Sequence, residues 1–292
     1  MPPDDTRAPT VATPPAPGPS AMDAHAAIGC ELVAGSNRLT RLRSQGQLVL
    51  RPTYPKGFEP WADGSRSVAR ASLSAGAAGP LGGDRLLLDI HVGPDATLVL
   101  NEVSATLALP GVHGGRSVMT YRVRVEAGGT LIWLPEPVIA AHQCDHRQLI
   151  HVELAPTARF HLREQLILGR HGEPPGDLGQ HLRIVRGAEV LHDQELRLGS
   201  NQQGWDSPAV LERAQAVGTL VVVDPGSGIG RGRSDLVNDS TISVGIDDDV
   251  VQATALAPDS LLLSHSLDSA LRCIGAPWAP PPRAASPEPD QS

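Results

Sequence analysis

The sequence has few of the residues that mark several common protein classes. Its 292 residues include only three cysteines, Cys30, Cys144 and Cys273, and aromatic residues make up 3%. An odd number of widely spaced cysteines does not provide the paired framework of a small secreted disulfide protein. With so few aromatic rings, a core has to be built from aliphatic side chains and alanine.

Long apolar runs and lysine are also scarce. No apolar segment approaches the roughly 20 residues that a membrane-spanning helix needs. The first 20 residues contain seven prolines and no apolar stretch typical of a secretory signal. Lys56 is the only lysine, and the formal net charge is −8, which repels phosphate backbones. These features predict a cytoplasmic protein without membrane or nucleic-acid partners.

Prolines are concentrated at the two ends of the chain. Seven of the 27 lie in residues 1–20 and six in residues 277–292. Such segments bury too little apolar area to offset the loss of chain entropy on folding. We therefore predict disordered arms over residues 1–27 and 277–292, on either side of a single β-rich domain over residues 28–276.

The body of the chain shows the alternation that is typical of β-strands. Every second position of residues 86–92 is apolar, and residues 121–126 alternate strictly between apolar and polar. Both patterns predict strands with one buried face. In the first strand, Leu88 and its alternate neighbours are expected to face inward, and Arg85 and His91 outward.

Similar turns follow several of these segments. Four mostly small residues, followed by a new apolar run, come after Val92, Val125, Leu154 and Leu256. Proline, glycine, aspartate and serine favour such turns. The recurrence predicts a mostly β protein, built as stacked β-hairpins or a β-solenoid-like scaffold.

Helical signals are few. Residues 208–217 and 266–273 are the two segments that favour a short helix. The predicted fold therefore has one or two short helices beside its strands.

Two acidic or glycine-rich segments suggest ligands but have the wrong spacing. Residues 226–232 alternate glycine with other residues, yet Arg231 and Arg233 occupy the positions where a dinucleotide fingerprint needs glycine. A phosphate loop would also need a lysine there. Asp247–Asp249 lacks the alternate acids and closing glutamate of a calcium loop, so we predict a solvated turn.

The most chemically distinctive patch is His142, Cys144 and His146. Alternate residues on a strand share one face, about 6.5 Å apart. Imidazole and thiolate suit a borderline-soft divalent ion such as nickel, zinc or copper. No fourth ligand is evident, so the alternatives are a transient metal contact and an ordinary polar loop.

Four segments in order resemble the urease accessory protein UreD family, also called UreH. Residues 79–100 are similar to its Gly-Gly-Asp-Arg-Leu segment with the following strand and turn. Residues 47–55, 129–137 and 162–173 are similar to its N-terminal strand, its Trp-Leu-Pro segment and its Leu-Gly-Arg segment. Residues 101–109 keep the family's Ala-Thr pair but lack its lysine and tyrosine.

The resemblance implies a scaffold, not an enzyme. The family joins a UreF-like partner and a UreG-like GTPase, and the assembly delivers nickel to apo-urease. No tightly bound cofactor is implied, only nickel in transit. A transfer site has to bind loosely, which makes the patch the first candidate for contact with the ion. The secondary candidates are Asp84, Glu136 and Glu164.

A different class of function also fits a β-rich chain. A β-solenoid enzyme or binding module would act on a carbohydrate or small ligand, with paired carboxylates such as Glu164 and Glu173 as acid and base. A carboxylate-lined groove open to solvent would favour that alternative.

Overall fold

The computed structural model describes residues 21–54 and 68–279, which form 18 β-strands and one α-helix. In chain order these are β1 (Asp23–Val33), β2 (Ser36–Arg43), β3 (Leu48–Pro52), β4 (Ala69–Ala75), β5 (Arg85–Val92), β6 (Thr97–Glu102), β7 (Thr106–Ala108), β8 (Ser117–Val125), β9 (Thr130–Leu134), β10 (Val138–Ala140), β11 (Asp145–Leu154), β12 (Arg159–Leu168), β13 (Asp177–Arg186), β14 (Glu189–Leu198), β15 (Ala216–Val223), β16 (Ser234–Asn238), β17 (Thr241–Asp247), β18 (Val250–Ala257) and α1 (Ser260–Ile274).

The strands form two sheets that face each other across the core. The seven-stranded sheet has the order β14-β13-β11-β8-β5-β1-β2. The eleven-stranded sheet has the order β16-β17-β18-β15-β12-β9-β6-β4-β3, with β10 paired to β12 and β7. Neighbours from β1 to β13 in the first sheet, and from β4 to β12 in the second, run parallel.

The predicted turns carry the chain from one sheet to the other. Those after Val92, Val125 and Leu154 join β5 to β6, β8 to β9 and β11 to β12. The strands on either side of each turn therefore belong to the same coil but to different sheets, and each pairs with the equivalent strand of the next coil. The mostly β, solenoid-like scaffold is confirmed. The turn after Leu256 differs, because it leads into α1 and not into another strand.

The buried faces follow the alternation in the sequence. Leu88 is fully buried, and Leu86, Ile90 and Val92 are at most 5% exposed. These side chains pack in the core between the sheets, which confirms the predicted inward face of β5. Arg85 and His91 lie on the opposite face and are half-buried.

The single helix of the described residues covers the outer face of the eleven-stranded sheet. Leu263 and Leu267 approach β15 closely at Gly218, where a β-carbon would lie 2.7 Å from Leu267 Cδ1. The Asp259 carboxylate caps the helix by accepting the Leu262 N–H at 2.8 Å. The predicted helix over residues 266–273 is confirmed as the second half of α1. No helix among the described residues combines the length and apolar character needed to cross a bilayer.

The other predicted helix, over residues 208–217, is wrong. Residues 208–213 form turns, and β15 begins at Ala216. A helix so short is costly to nucleate. The apolar run that follows instead gains a complete set of backbone hydrogen bonds by pairing with both β12 and β18.

The folded part of the chain extends beyond both expected boundaries. Strand β1 begins at Asp23, inside the predicted first arm. Trp278 is fully buried after α1, its indole Nε1 donates to Asp224 at 2.9 Å, and the Arg159 guanidinium lies 4.7 Å from the ring centroid. The rest of the two predicted arms, residues 1–20 and 280–292, lies outside the described residues.

The loop before β5 depends on two glycines and an aspartate. Gly83 has φ of +95°, and a β-carbon on Gly82 would lie 2.6 Å from a backbone nitrogen of a neighbouring loop. Asp84 is 3% exposed, and its carboxylate accepts the backbone N–H groups of Met22 at 2.8 Å and Leu81 at 2.9 Å. Asp84 therefore fixes the start of the second coil against the first.

Leu88→Ala should lower the free energy of unfolding by about 2–5 kcal/mol, because it leaves a cavity between tightly packed coils. Urea denaturation provides the measurement. Leu87→Ala is the matched control, since the half-buried Leu87 lies on the opposite face of β5, and it should cost about 1 kcal/mol or less. Equal losses for the two variants would mean that the buried face of β5 is misassigned.

Candidate functional site

Two carboxylic acids lie in the interior between the sheets. Glu102 ends β6 and Glu164 lies within β12, each at an inward position of the strand's alternation. They are 7% and 5% exposed. Burial raises the pKa of both groups to about 8, and the nearby charge of Glu102 adds to the rise at Glu164. Both groups therefore hold a proton at neutral pH when nothing else balances their charge.

Within the described residues, only one carboxylate oxygen of Glu164 has a hydrogen-bond donor. Gln180 Nε2 donates to Glu164 Oε1 at 3.0 Å and to Gln148 Oε1 at 3.3 Å. Gln148 and Gln180 are register partners on β11 and β13, so the parallel stack places them side by side. Glu164 Oε2 has no hydrogen-bond partner among the described residues. An unsatisfied buried oxygen of this kind is a natural position for a ligand.

Polar side chains continue from the acids in both directions. We name this set the interior polar row; its members are Gln47, Glu102, Gln148, Glu164 and Gln180. All five are buried. Tyr121 lies beside the row, and burial raises the pKa of its phenol well above the ordinary value. The row crosses the interior from the β3 end to the β13 end.

Three cavities follow the interior polar row. The first, about 60 Å³, is lined by Gln47, Glu102 and Gln148, among others. The second, about 10 Å³, lies between Glu102 and Glu164. The third, about 160 Å³, begins at Gln180. The middle cavity holds about one water-sized sphere.

The structure does not assemble the predicted patch. His142 is exposed, whereas Cys144 and His146 are each 1% exposed. Burial raises the pKa of the Cys144 thiol to about 12 and lowers that of His146 to about 4. Cys144 Sγ contacts the Asp177 carbonyl at 3.8 Å, and His146 Nδ1 contacts Ser117 Oγ at 2.8 Å.

No three His, Cys, Asp or Glu side chains in the described part of the chain are grouped to hold a metal ion. Contact of nickel with the patch stays a prediction, and the burial and protonation of the Cys144 thiol disfavour it.

The secondary candidates lie along the interior polar row. Glu164 belongs to it. The exposed Glu136 lines the middle cavity, and its backbone N–H donates to Glu102. Asp84 lies at the other end, where it accepts a hydrogen bond from Gln47 Nε2 at 3.2 Å. Metal contact of these residues also stays a prediction. The fold does, however, bring all three to the interior polar row or to the cavities along it.

The glycine-rich loop and the acidic turn bind each other. The Asp249 carboxylate accepts the backbone N–H groups of Gly226 and Gly228, both at 2.9 Å. These amides would otherwise be the natural donors to a phosphate. Asp247 pairs with Arg186 and Asp248 with Arg231. Both segments therefore have a structural role.

Sequence reasoning missed Glu102, Tyr121, Gln148 and Gln180. Each lies at an inward position of an alternating strand. A polar residue at such a position is the signal that could have identified them.

Comparisons with known proteins agree with one another. The family model described as UreD urease accessory protein matches residues 22–285. The urease accessory protein UreD 2 of Saccharopolyspora erythraea is 38% identical over 272 residues, covering 91% of this chain and 93% of that protein. UreD of Streptomyces avermitilis is 38% identical over 242 residues, covering 82% and 92%. UreD of a Parafrankia species is 38% identical over 283 residues, covering 89% and 92%.

Glu164→Gln should change how stability depends on pH. Its pKa is about 8 in the folded chain against 4.5 for the free group, so the folded state retains a proton that the unfolded state releases. The stabilisation that the folded state gains from this proton is complete below about pH 4.5 and is lost as pH rises through 8. The stability of Glu164→Gln relative to the natural protein should therefore increase from pH 5 to pH 8.

Urea denaturation at several pH values measures this difference. Glu153→Gln, which removes an exposed carboxylate from β11, is the control and should leave the pH profile unchanged. A Glu164→Gln profile parallel to that of the natural protein would contradict the raised pKa.

Proposed function

Because this chain belongs to the UreD family of urease accessory proteins, we propose that it is a chaperone that passes nickel to apo-urease. It acts in a cytoplasmic complex with a UreF-like scaffold and a UreG-like GTPase. Its own contribution is to receive, hold and release the ion, without catalysing a reaction.

The observation that carries this proposal is the buried pair Glu102 and Glu164. Without a cation, each acid keeps its proton because a bare charge is too costly in the interior. A divalent ion that enters displaces these protons and is neutralised by the two carboxylates. Glu164 Oε2, which has no hydrogen-bond partner in the described residues, is available for it.

The donor chemistry favours transfer over storage. Carboxylate and amide oxygens hold nickel less tightly than imidazole or thiolate would. The proton displaced on entry lowers the affinity further, because protonation competes with the metal. The interior polar row therefore binds strongly enough to guide the ion and weakly enough to release it. The two larger cavities give the ion a place to regain water on each side.

The same geometry argues against the carbohydrate enzyme. The two acids suggested for it, Glu164 and Glu173, would have to meet a substrate at the surface, but Glu164 is buried between the sheets and Glu173 is paired with Arg170. The amides of residues 226–228 bind Asp249, which fits nucleotide hydrolysis taking place on a separate GTPase chain.

Replacing Glu102 and Glu164 together by glutamine should lower the nickel content of co-expressed urease by about tenfold or more. Glutamine keeps the size and polarity of each side chain but cannot supply the negative charge. Urease is purified after co-expression with the complete set of accessory proteins, and its nickel is measured by mass spectrometry. Assembly of the complex should be unaffected, and Glu153→Gln should behave like the natural protein.

The patch provides a competing prediction in the same assay. Replacing His142, Cys144 and His146 together lowers urease nickel only if the ion passes there. Normal nickel in the glutamine double variant, with a loss confined to a folded patch variant, would contradict transfer through the interior polar row.

A further inference from the structure

The edge strand β2 carries three arginines that have no counter-charge among the described residues. Arg38, Arg41 and Arg43 are all exposed. None of the three guanidinium groups forms an ion pair with a carboxylate of the described residues. None makes a side-chain hydrogen bond to a described residue either. Unpaired cations concentrated on one strand are unexpected in a protein with a net charge of −8.

The three arginines share one face of the sheet. Register places Arg38 opposite Glu31, Arg41 opposite Gly29 and Arg43 opposite Ala27. Gly29 and Ala27 offer no polar group, and Glu31 is engaged with His91 at 3.6 Å. The guanidinium groups therefore lie along the outer border of the seven-stranded sheet, and the one acid in register with them, Glu31, pairs with His91 instead.

Other arginines on the same outer face are neutralised. On β8, β11 and β13 the ion pairs are Arg122–Asp89, Arg124–Glu126, Arg147–Glu195 and Arg183–Asp193. Ion pairing is thus common on this outer face, and β2 differs in carrying three arginines without a carboxylate partner among the described residues. Arg51 on β3 is likewise exposed and unpaired in the described residues. It follows Leu50, whose backbone N–H donates to Ser44 at 2.9 Å.

We propose that the outer face of β2, with Arg38, Arg41 and Arg43, is a docking site for an acidic extended segment of a protein partner. Guanidinium groups pair with carboxylates in a planar two-bond arrangement, and their regular spacing along a strand matches an extended chain. The proposal rests on the proposed function only in assigning this partner to the urease maturation complex.

Side chains, more than the strand's backbone, provide the contacts. Thr40 bulges from the ladder, because Arg41 pairs with Gly29 while Leu39 pairs with Cys30. Such a bulge and a row of charges both hinder continuous pairing of a new strand at an edge. Binding should therefore be mainly electrostatic and sensitive to salt.

The first experiment measures binding of a synthetic peptide of alternating glutamate and threonine, about twelve residues long, to the full chain by fluorescence anisotropy. The peptide should bind at about 50 mM salt and weaken steeply toward about 300 mM. In Arg41→Glu/Arg43→Glu its affinity should fall about tenfold or more, since attraction is replaced by repulsion. Arg213→Glu/Arg272→Glu, an equal change of charge at two other exposed sites, should leave affinity unchanged.

The second experiment repeats the variants with purified apo-urease and purified accessory partners. If Arg41→Glu/Arg43→Glu, but not the control variant, loses binding to one of these proteins, that protein is the occupant of the docking site. The proposal would be overturned if that variant still bound the peptide and every partner with the affinity of the natural protein. It would also be overturned if a DNA duplex bound β2 more tightly than the peptide does.

Failure of the nickel-transfer function would not mimic these results. The glutamine variants of Glu102 and Glu164 leave β2 intact and should bind the peptide normally.

Discussion

Parallel stacking of successive coils determines which side chains enter the interior. The register from β5 to β13 is continuous, so that Leu88, Tyr121, Ile150 and Leu182 lie in one line across four strands. An inward residue of one coil therefore contacts inward residues of the next. Apolar residues in line build the core, and the same rule aligns Gln148 with Gln180. Four members of the interior polar row follow from the strand register, and only Gln47 comes from a turn, the one before β3.

Burial of Glu102 and Glu164 is the second constraint. Two bare charges in the interior would be costly, so burial keeps both acids protonated at neutral pH. In the proposed function, metal entry is therefore coupled to proton release, which makes the affinity depend on pH and keeps it moderate, as a carrier requires.

Alternation in the sequence was sufficient to assign inward and outward faces to β5. Applied to β6, β11, β12 and β13, the same rule places Glu102, Gln148, Glu164 and Gln180 inside, so most of the interior polar row was accessible to sequence reasoning. The shared face expected for His142, Cys144 and His146 is not formed, for a specific reason. Alternate residues share a face only within a strand, and β11 begins at Asp145, after a turn in which Gln143 has φ of +63°.

Other features depend on contacts between distant segments. Which sheet each strand joins is one such feature. Another is the start of α1 directly after the turn at Leu256, because the sequence indicated only residues 266–273 and the helix is held by packing on β15 and β18. The buried Trp278 is a similar case, because its partners Arg159 and Asp224 come from other parts of the chain. Proline content near the C-terminus therefore misplaced the end of the folded domain.

Anomalous diffraction at the nickel absorption edge, from crystals of this chain equilibrated with nickel, tests the central claim most directly. If the interior carries the ion, a nickel peak should lie within bonding distance of a carboxylate oxygen of Glu102 or Glu164. The peak should disappear when both are replaced by glutamine. Nickel found only on exposed histidines such as His142, with none between the sheets, would contradict the account.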